Sequence, residues 1–302
     1  MSIDIKIELQ SARVIADGKE FGDVGCYEYL TGWIHFEIEP NSPLPTKIVD
    51  LENASKNEHG NVEYSSQIHI LRPVDPTKSN RRLFFDYGNR GNKRAIQYFN
   101  DAVASNEPVL SEECGNGFLF RRGYSIVWVA WQGDLLPGDD RMTMRLPKAI
   151  DNNGPITGKV RTEFIATKEG KTTFPLSGWI STRSHPTISL DTSKAKLTRR
   201  QYPDEEREVI PPSKWSFARI DGGQGMDFQG KETAVVSSDI HIHLPTTFQT
   251  GWIYELIYTA KDPLVMGLGH LVVRDAISFL RYNKTAQNPF LKYKIEKTFC
   301  FG

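Results

Sequence analysis

Residues 83–87, Leu-Phe-Phe-Asp-Tyr, and residues 124–131, Tyr-Ser-Ile-Val-Trp-Val-Ala-Trp, decide the fold that we expect. Both runs are short and almost continuously apolar, which is typical of strands that are buried on both faces of a parallel sheet. A segment compatible with a helix, residues 94–105, lies between them. Strand, helix and strand in this order predict a right-handed crossover between two parallel neighbours.

The last part of the chain predicts another helix and a third buried strand. Asp262 is a good N-cap and Pro263 suits the first helical position, so we expect a helix over about 262–282 that packs against the sheet. Residues 298–301, Thr-Phe-Cys-Phe, then read as the strand.

The remaining sequence predicts β structure before and within this core. Aromatic and β-branched residues alternate with polar ones in the first 80 residues, which is the period of a half-buried strand. About 130 residues separate Trp131 from Asp262, far more than a normal connection, so we expect an inserted subdomain. The predicted organisation is a β-rich N-terminal part at 1–80, the first part of the core at 81–134, a mostly β insertion at 135–250, and a return to the core at 251–302.

Composition excludes several classes of protein. Lys plus Arg and Asp plus Glu both total 37, so no net charge favours binding to nucleic acid or to an anionic membrane. Cys26, Cys114 and Cys300 lack the spacing of a zinc site or a disulfide framework. No apolar run approaches the roughly 18 residues of a membrane span, and the N-terminus lacks a signal-peptide core. We therefore expect a soluble, cytoplasmic protein with no cofactor, nucleic-acid partner or membrane.

A series of short motifs resembles the alpha/beta hydrolase domain proteins, large hydrolases with a β-rich N-terminal part. The resemblance implies an α/β fold, here a partial α/β-hydrolase sheet, and hydrolysis of a small-molecule ester or related acyl substrate through an attacking serine. The matching segments, in chain order, are EFGDVGCYE at 20–28, LRPVDP at 71–76, NRGNK at 89–93, NGFLFRRGY at 116–124, WQGD at 131–134 and YELIYTAKDP at 254–263.

The same resemblance implies that no catalytic triad lies in this chain. In such hydrolases the nucleophilic serine follows the strand after the long helix, and the acid and histidine come later. We therefore expect the nucleophile just after Gly302, the chain to be an inactive fragment of a serine hydrolase, and no catalytic residue among those present.

Asn89, Arg90 and Gly91 correspond to the loop that would supply one side of an oxyanion hole. Glycine there lets the backbone approach an acyl oxygen, and Asn89 or Arg90 can add a donor. The alternative is a plain turn between a strand and a helix, in which the glycines only satisfy backbone dihedral angles.

Trp131, Gln132 and Asp134 leave the carboxyl end of the second parallel strand, where open α/β sheets bind ligands. We expect them to line a substrate pocket. The alternative is that Asp134 caps a turn while Trp131 packs beneath the insertion.

A second functional hypothesis treats the chain as a complete, non-catalytic module that binds carbohydrate or protein. It is built from the β-rich parts, whose exposed aromatic residues can line a groove. The candidates are Trp33, Trp179, Trp215 and Trp252.

Two further patterns are weaker. Asp239, His241 and His243 would share one face of a strand, where they are either metal ligands or only a polar surface, and we favour the polar surface. The glycine-rich residues 221–225 lack the ending of a phosphate loop and predict a turn.

Overall fold

The fold is described from a computed structural model, over residues 4–41, 48–151, 154–220 and 234–302. The predicted turn at 221–225 lies outside these residues. The described residues form fifteen strands: β1 Asp4–Val14, β2 Tyr27–Ile38, β3 Val62–Pro73, β4 Arg82–Asp86, β5 Ser125–Val129, β6 Met144–Arg145, β7 Thr157–Ile165, β8 Thr173–Pro175, β9 Lys196–Arg200, β10 Glu208–Ile210, β11 Ala218–Ile220, β12 Val235–Ser237, β13 His241–His243, β14 Ile253–Lys261 and β15 Lys297–Phe301. They also form three α-helices: α1 Ala95–Phe99, α2 Phe118–Arg121 and α3 Leu268–Tyr282.

The chain divides into two compact units. Unit 1 contains residues Met1–Pro147 and Leu264–Gly302, and unit 2 contains Lys148–Pro263. The sequence had suggested an insertion over 135–250, so these boundaries lie about 13 residues later at both ends.

Unit 1 is built around one mixed sheet. The strand order is β1-β2-β3-β5-β4-β15, with β6 added beside β3. β1 pairs with β2, β2 with β3 and β3 with β5 in antiparallel fashion. β5 with β4 and β4 with β15 are parallel pairs. The predicted parallel pairing of 83–87 with 124–131 is confirmed, because Leu83 lies opposite Ser125 and Asp86 opposite Trp128.

Unit 2 is antiparallel. Its largest sheet has the order β10-β9-β14-β7, and two smaller pairs are β13 with β8 and β11 with β12. The core packs aromatic side chains from several strands and the loops between them, among them Phe164, Phe174, Phe248 and Tyr254. Phe174 and Phe248 meet edge to face with ring centroids 4.8 Å apart, a favourable aromatic geometry.

The expected α/β class is wrong: the fold is dominated by β-sheet. An α/β architecture needs helices long enough to cover the sheet, but α1 and α2 contain only five and four residues. The helix expected over 94–105 ends early because the buried Asn100 side chain bonds to the loop instead, donating to the Cys114 carbonyl and accepting from the Leu119 N–H. Asp101 then adopts a φ of 52°, which breaks the helix.

The long helix also begins later than the sequence suggested. Asp262 has a φ of 56°, so it turns the chain instead of capping a helix, and α3 starts at Leu268. No helix in the described part of the chain is both long and apolar enough to cross a bilayer.

Candidate functional site

Five of the six candidate site residues come together at one edge of the unit 1 sheet. Because β4 and β5 are parallel neighbours, the loops that follow them leave the sheet at the same edge. The first loop carries Arg90 and the second carries Gln132 and Asp134. Arg90 donates through its backbone N–H to Gln132 Oε1 at 2.5 Å, and through Nη1 to Asp134 Oδ2 at 3.1 Å. The two loops are therefore joined by one backbone and one charged hydrogen bond.

Two residues of the loop after β4 have a left-handed backbone conformation. Arg90 and Gly91 both have positive φ, 56° and 74°. A Cβ on Gly91 would lie 2.5 Å from the Met142 carbonyl oxygen, so only glycine fits. Asn89 is exposed, and its carbonyl accepts from Asn92 Nδ2 at 3.1 Å, so its side chain is the one candidate that does not join the assembly.

Trp131 forms the centre of an aromatic group at this edge. Its indole stacks on Tyr87 with centroids 4.5 Å apart and planes 20° apart, and its Nε1 donates to the Gly88 carbonyl at 2.7 Å. His270, in the first turn of α3, also lies against the indole, with ring centroids 5.6 Å apart. Tyr87 Oη and His270 Nδ1 are 3.2 Å apart, which closes the group.

A cavity of about 300 Å³ opens beside this aromatic group. That volume is at the lower end of the range for small-molecule sites. Its lining comes from the loop after β5 and from the start of α3: Trp131, Gln132, Asp134, Met266, Gly267 and His270.

The start of α3 lies close to the backbone of this loop. A Cβ on Gly269 would be only 1.9 Å from the Trp131 carbonyl oxygen, so the helix can approach to this distance only with glycine at that position. The close approach is what places Met266 and His270 opposite Asp134 and Gln132.

Buried polar residues support the loop from below. Asp86, 1% exposed, accepts through Oδ2 from the Arg94 and Ala95 N–H groups at 2.7 and 2.8 Å and from Trp128 Nε1 at 2.6 Å. Burial raises the pKa of Asp86, against the lowering effect of these three donors. These hydrogen bonds fix the backbone at the start of α1, where the loop after β4 ends.

Lys93 is the second buried support. It is 2% exposed, and its Nζ donates to the Asn106 carbonyl while its N–H donates to Asn106 Oδ1. Burial lowers the pKa of Lys93 to about 8, and the carboxylates of Glu107 and Asp140 oppose that shift. Nearby, Tyr29 Oη lies 2.6 Å from His69 Nδ1, and burial lowers the pKa of His69 well below its usual range.

Sequence reasoning missed His270, Met266, Asp86 and Lys93. A lone carboxyl in the apolar run 83–87 was a usable signal for Asp86, because a buried charge needs several partners. The sequence carried no comparable signal for His270, which reaches the site only because α3 crosses the loop after β5.

The four tryptophans proposed for a groove lie in different environments. Trp33 belongs to unit 1, where the Arg145 guanidinium stacks 4.2 Å from its ring centroid. In unit 2, Trp215 is 4% exposed and belongs to the core, whereas Trp179 is 61% exposed. Trp215 is therefore not available to line an open groove, whereas Trp179 is exposed.

The possible metal ligands of unit 2 each have a different environment. Asp239 precedes β13 and forms an ion pair with Lys261 at 3.7 Å, His241 contacts Ser238 Oγ at 2.9 Å, and His243 is buried. Within the described ranges, no group of three or more His, Cys, Asp or Glu side chains is arranged to hold a metal ion.

Comparison with known proteins returns no relative: no family model, no curated protein and no solved structure matches the chain. Together with the β-dominated fold, this overturns the expected membership of the alpha/beta hydrolase domain family. The expectations of a hydrolase, an esterase and an oxyanion loop depended on that resemblance. In the structure the backbone N–H of Arg90, in that loop, is donated to Gln132 Oε1.

Proposed function

We propose that unit 1 binds a carbohydrate in the cavity beside Trp131. The observation that carries the proposal is the placement of an indole, a carboxylate and a primary amide around one cavity of about 300 Å³. Sugar rings present apolar C–H faces and a rim of hydroxyl groups, and this lining offers a surface of each kind. The cavity size suits one ring of a saccharide.

The apolar part of the lining can accept the C–H face of a sugar. Trp131 is partly exposed, and Met266 and His270 are exposed. The indole is fixed by its stack on Tyr87 and its bond to Gly88. A fixed aromatic wall loses little conformational entropy when a ligand packs against it.

The polar part of the lining can read hydroxyl groups. The Oε1 atom of Gln132 is occupied by the Arg90 N–H, which orients the amide and leaves Nε2 as a donor. Asp134 accepts from Arg90 through Oδ2 and offers further lone pairs to hydroxyl donors. Hydrogen bonds that involve a charged group contribute about 1.5–3 kcal/mol, so Asp134 is the strongest expected polar contact.

Binding of neutral saccharides tests the proposal. Purified protein is titrated with maltotriose, cellotriose, xylotriose and chitotriose by calorimetry and by tryptophan fluorescence. We expect at least one to bind, and we expect Asp134→Asn and His270→Ala to weaken that binding about 10-fold or more. Asp23→Asn and His59→Ala, at exposed positions away from the cavity, are the matched controls. The proposal fails if none of the four sugars binds, or if the control variants weaken binding as much as the site variants.

We infer the cytoplasm as the location of the protein. Cys26, Cys114 and Cys300 are all free thiols, which favours a reducing compartment. Alkylation of the protein in freshly lysed cells, before purification, tests this inference. We expect all three cysteines to be labelled as free thiols.

A further inference from the structure

A second and larger cavity, of about 530 Å³, lies in unit 1 on the polar face of β1, β2 and β3. Segments 55–57 and 145–147 complete its walls. Its size is within the range of sites that enclose small molecules. None of the residues of the carbohydrate site takes part in it.

Strand register arranges most of the charges of this cavity in two rows, and Lys56, in the 55–57 wall, lies outside them. Asp4 pairs with Glu37 and Glu37 pairs with Glu63, which gives an acidic row across three strands. A second row, displaced by two residues along each strand, contains Lys6, His35, Ser65 and Arg145. Two residues of a strand correspond to about 7 Å, so an acidic and a basic row face one cavity at that separation.

The charges of opposite sign are held apart instead of forming ion pairs. Asn57 Nδ2 donates to Glu37 at 3.0 Å and to Glu63 at 2.8 Å, and Asn61 Nδ2 donates to Glu37 at 2.8 Å. These amides lower the pKa of Glu37, so it is ionised at neutral pH.

The cationic row is fixed separately. The Arg145 guanidinium lies over the Trp33 ring, 4.2 Å from its centroid. Over residues 4–41, 48–151, 154–220 and 234–302, no Lys or Arg lies within ion-pair distance of Glu37 or Glu63. Directly opposed like charges such as Glu37 and Glu63 destabilise a sheet, and here amide donors and the nearby His59, instead of a Lys or Arg ion pair, offset that cost.

A serine hydroxyl group also lines the cavity. Ser65 is 7% exposed, lies in the basic row between His35 and Arg145, and lines the cavity. Among the described residues its Oγ has no hydrogen-bond partner, but the atom itself is not enclosed by protein, so it is open to water or to a ligand group in the cavity. A polar ligand group in the cavity would satisfy it.

We propose that this cavity binds a short zwitterionic peptide of dipeptide length. The ammonium group lies at Glu37 and Glu63, and the terminal carboxylate lies at Lys6 and Arg145 with Ser65 donating to it. Two peptide residues span at most about 7 Å when extended, which matches the separation of the two rows. The same separation favours a dipeptide over a free α-amino acid, which carries both charged groups on one carbon, and a singly charged ligand would leave one row without a charged partner.

Calorimetric titration with the dipeptide Ala-Ala tests this proposal. Three comparison ligands each remove one feature: N-acetyl-Ala-Ala lacks the ammonium group, Ala-Ala-amide lacks the carboxylate, and free alanine lacks the length. We expect Ala-Ala to bind and each comparison ligand to bind about 10- to 100-fold more weakly, the size expected for loss of one charge-assisted contact. Equal binding of a blocked ligand and Ala-Ala, or no binding of Ala-Ala, overturns the proposal.

Protein variants provide a second and independent readout. Glu63→Gln should weaken Ala-Ala about 10-fold but leave the affinity for N-acetyl-Ala-Ala unchanged, because that ligand has no ammonium group to lose. Glu58→Gln, whose side chain is 87% exposed, is the matched control. Unchanged Ala-Ala affinity in folded Glu63→Gln contradicts the assignment. Asp134→Asn should retain full Ala-Ala binding, so failure of the carbohydrate proposal and failure of this one are distinguishable.

Discussion

The two units of this chain use β-sheet in different ways. In unit 1, β5, β4 and β15 run parallel, so the loops after β4 and β5 leave from one edge and their side chains meet. In unit 2 the named strands pair antiparallel, and their polar side chains form ion pairs across neighbouring strands. The difference shows how parallel neighbours bring two loops, and the side chains they carry, to one edge of a sheet.

The buried carboxyl groups of the two units show the same contrast. Asp86 in unit 1 is held by neutral N–H donors and its pKa is raised by burial. Glu255 in unit 2 is bonded by Arg207 at 2.9 Å and Arg161 at 2.7 Å. Burial opposes its ionisation, but the two arginines outweigh that effect and lower the pKa of Glu255.

The largest expected effect comes from truncating one aromatic side chain in each core. Phe164→Ala in unit 2 and Phe120→Ala in unit 1 each remove a side chain with no exposed surface, at a cost of about 3–5 kcal/mol in the free energy of unfolding. Because each unit has its own core, we expect each variant to reduce amide-exchange protection mainly in its own unit. Hydrogen exchange with mass spectrometry measures this, and equal loss in both units for either variant would mean that the chain unfolds as one cooperative body.

A smaller effect is expected at the close approach of α3. Gly269→Ala places a Cβ 1.9 Å from the Trp131 carbonyl oxygen, so the helix start must shift, at a cost of about 1–3 kcal/mol. Saccharide affinity should fall as well, since Met266 and His270 move with the helix. Gly158→Ala, where a Cβ meets nothing within 4 Å, is the matched control and should bind saccharide normally. Normal binding by Gly269→Ala would show that the start of α3 has no part in the site.

The dependence of stability on pH should have opposite signs for the two carboxyl groups. The lowered pKa of Glu255 means that its stabilisation is complete above the unfolded value of about 4.3 and is lost as the pH falls through the folded value. The raised pKa of Asp86 means that its contribution is complete below the unfolded value of about 3.9 and is lost as the pH rises through the folded value.

Urea unfolding between pH 3 and pH 7 measures both contributions. Glu255→Gln should reduce the acid sensitivity of unit 2, whereas Asp86→Asn should increase the net acid sensitivity of unit 1. Parallel changes in the two variants would contradict the assigned environments.

The smallest effect is expected at the exposed indole of unit 2. Trp179→Ser alters a side chain that is 61% exposed, so the free energy of unfolding should change by less than about 0.5 kcal/mol. Saccharide affinity should not change. A loss of saccharide binding in this variant would move the site from unit 1 to unit 2.

Much of the strand content could be predicted from sequence, but the fold class could not. The apolar runs at 83–87 and 124–131 correctly indicated parallel neighbours, because a strand covered on both faces has little room for polar residues. Residues 94–105 looked helical, yet the side chain of Asn100 bonds to a loop 14 residues away in sequence and ends α1 after Phe99. Local propensity contains no information about such a contact.

The candidate site shows the same limit. Position after a parallel strand was enough to find Gln132 and Asp134, because loop placement follows from strand direction. Arg90 was chosen through a family resemblance, which the fold and the comparisons do not support. The peptide cavity could not be found from sequence, because its two charged rows exist only in the register of β1, β2 and β3.

The sequence by itself indicated several of the strands, that 83–87 and 124–131 are buried parallel neighbours, and that the chain carries no net charge to attract polyanions. These properties follow from the period and the composition of short segments. The expectation that 298–301 is also buried was wrong, because β15 is mostly exposed. The tertiary structure alone decided that the fold is dominated by β-sheet, that α3 brings His270 beside Trp131, and that Glu37 meets Glu63 across a strand pair. Each of these depends on contacts between residues distant in sequence, which packing and register fix only when the whole chain folds.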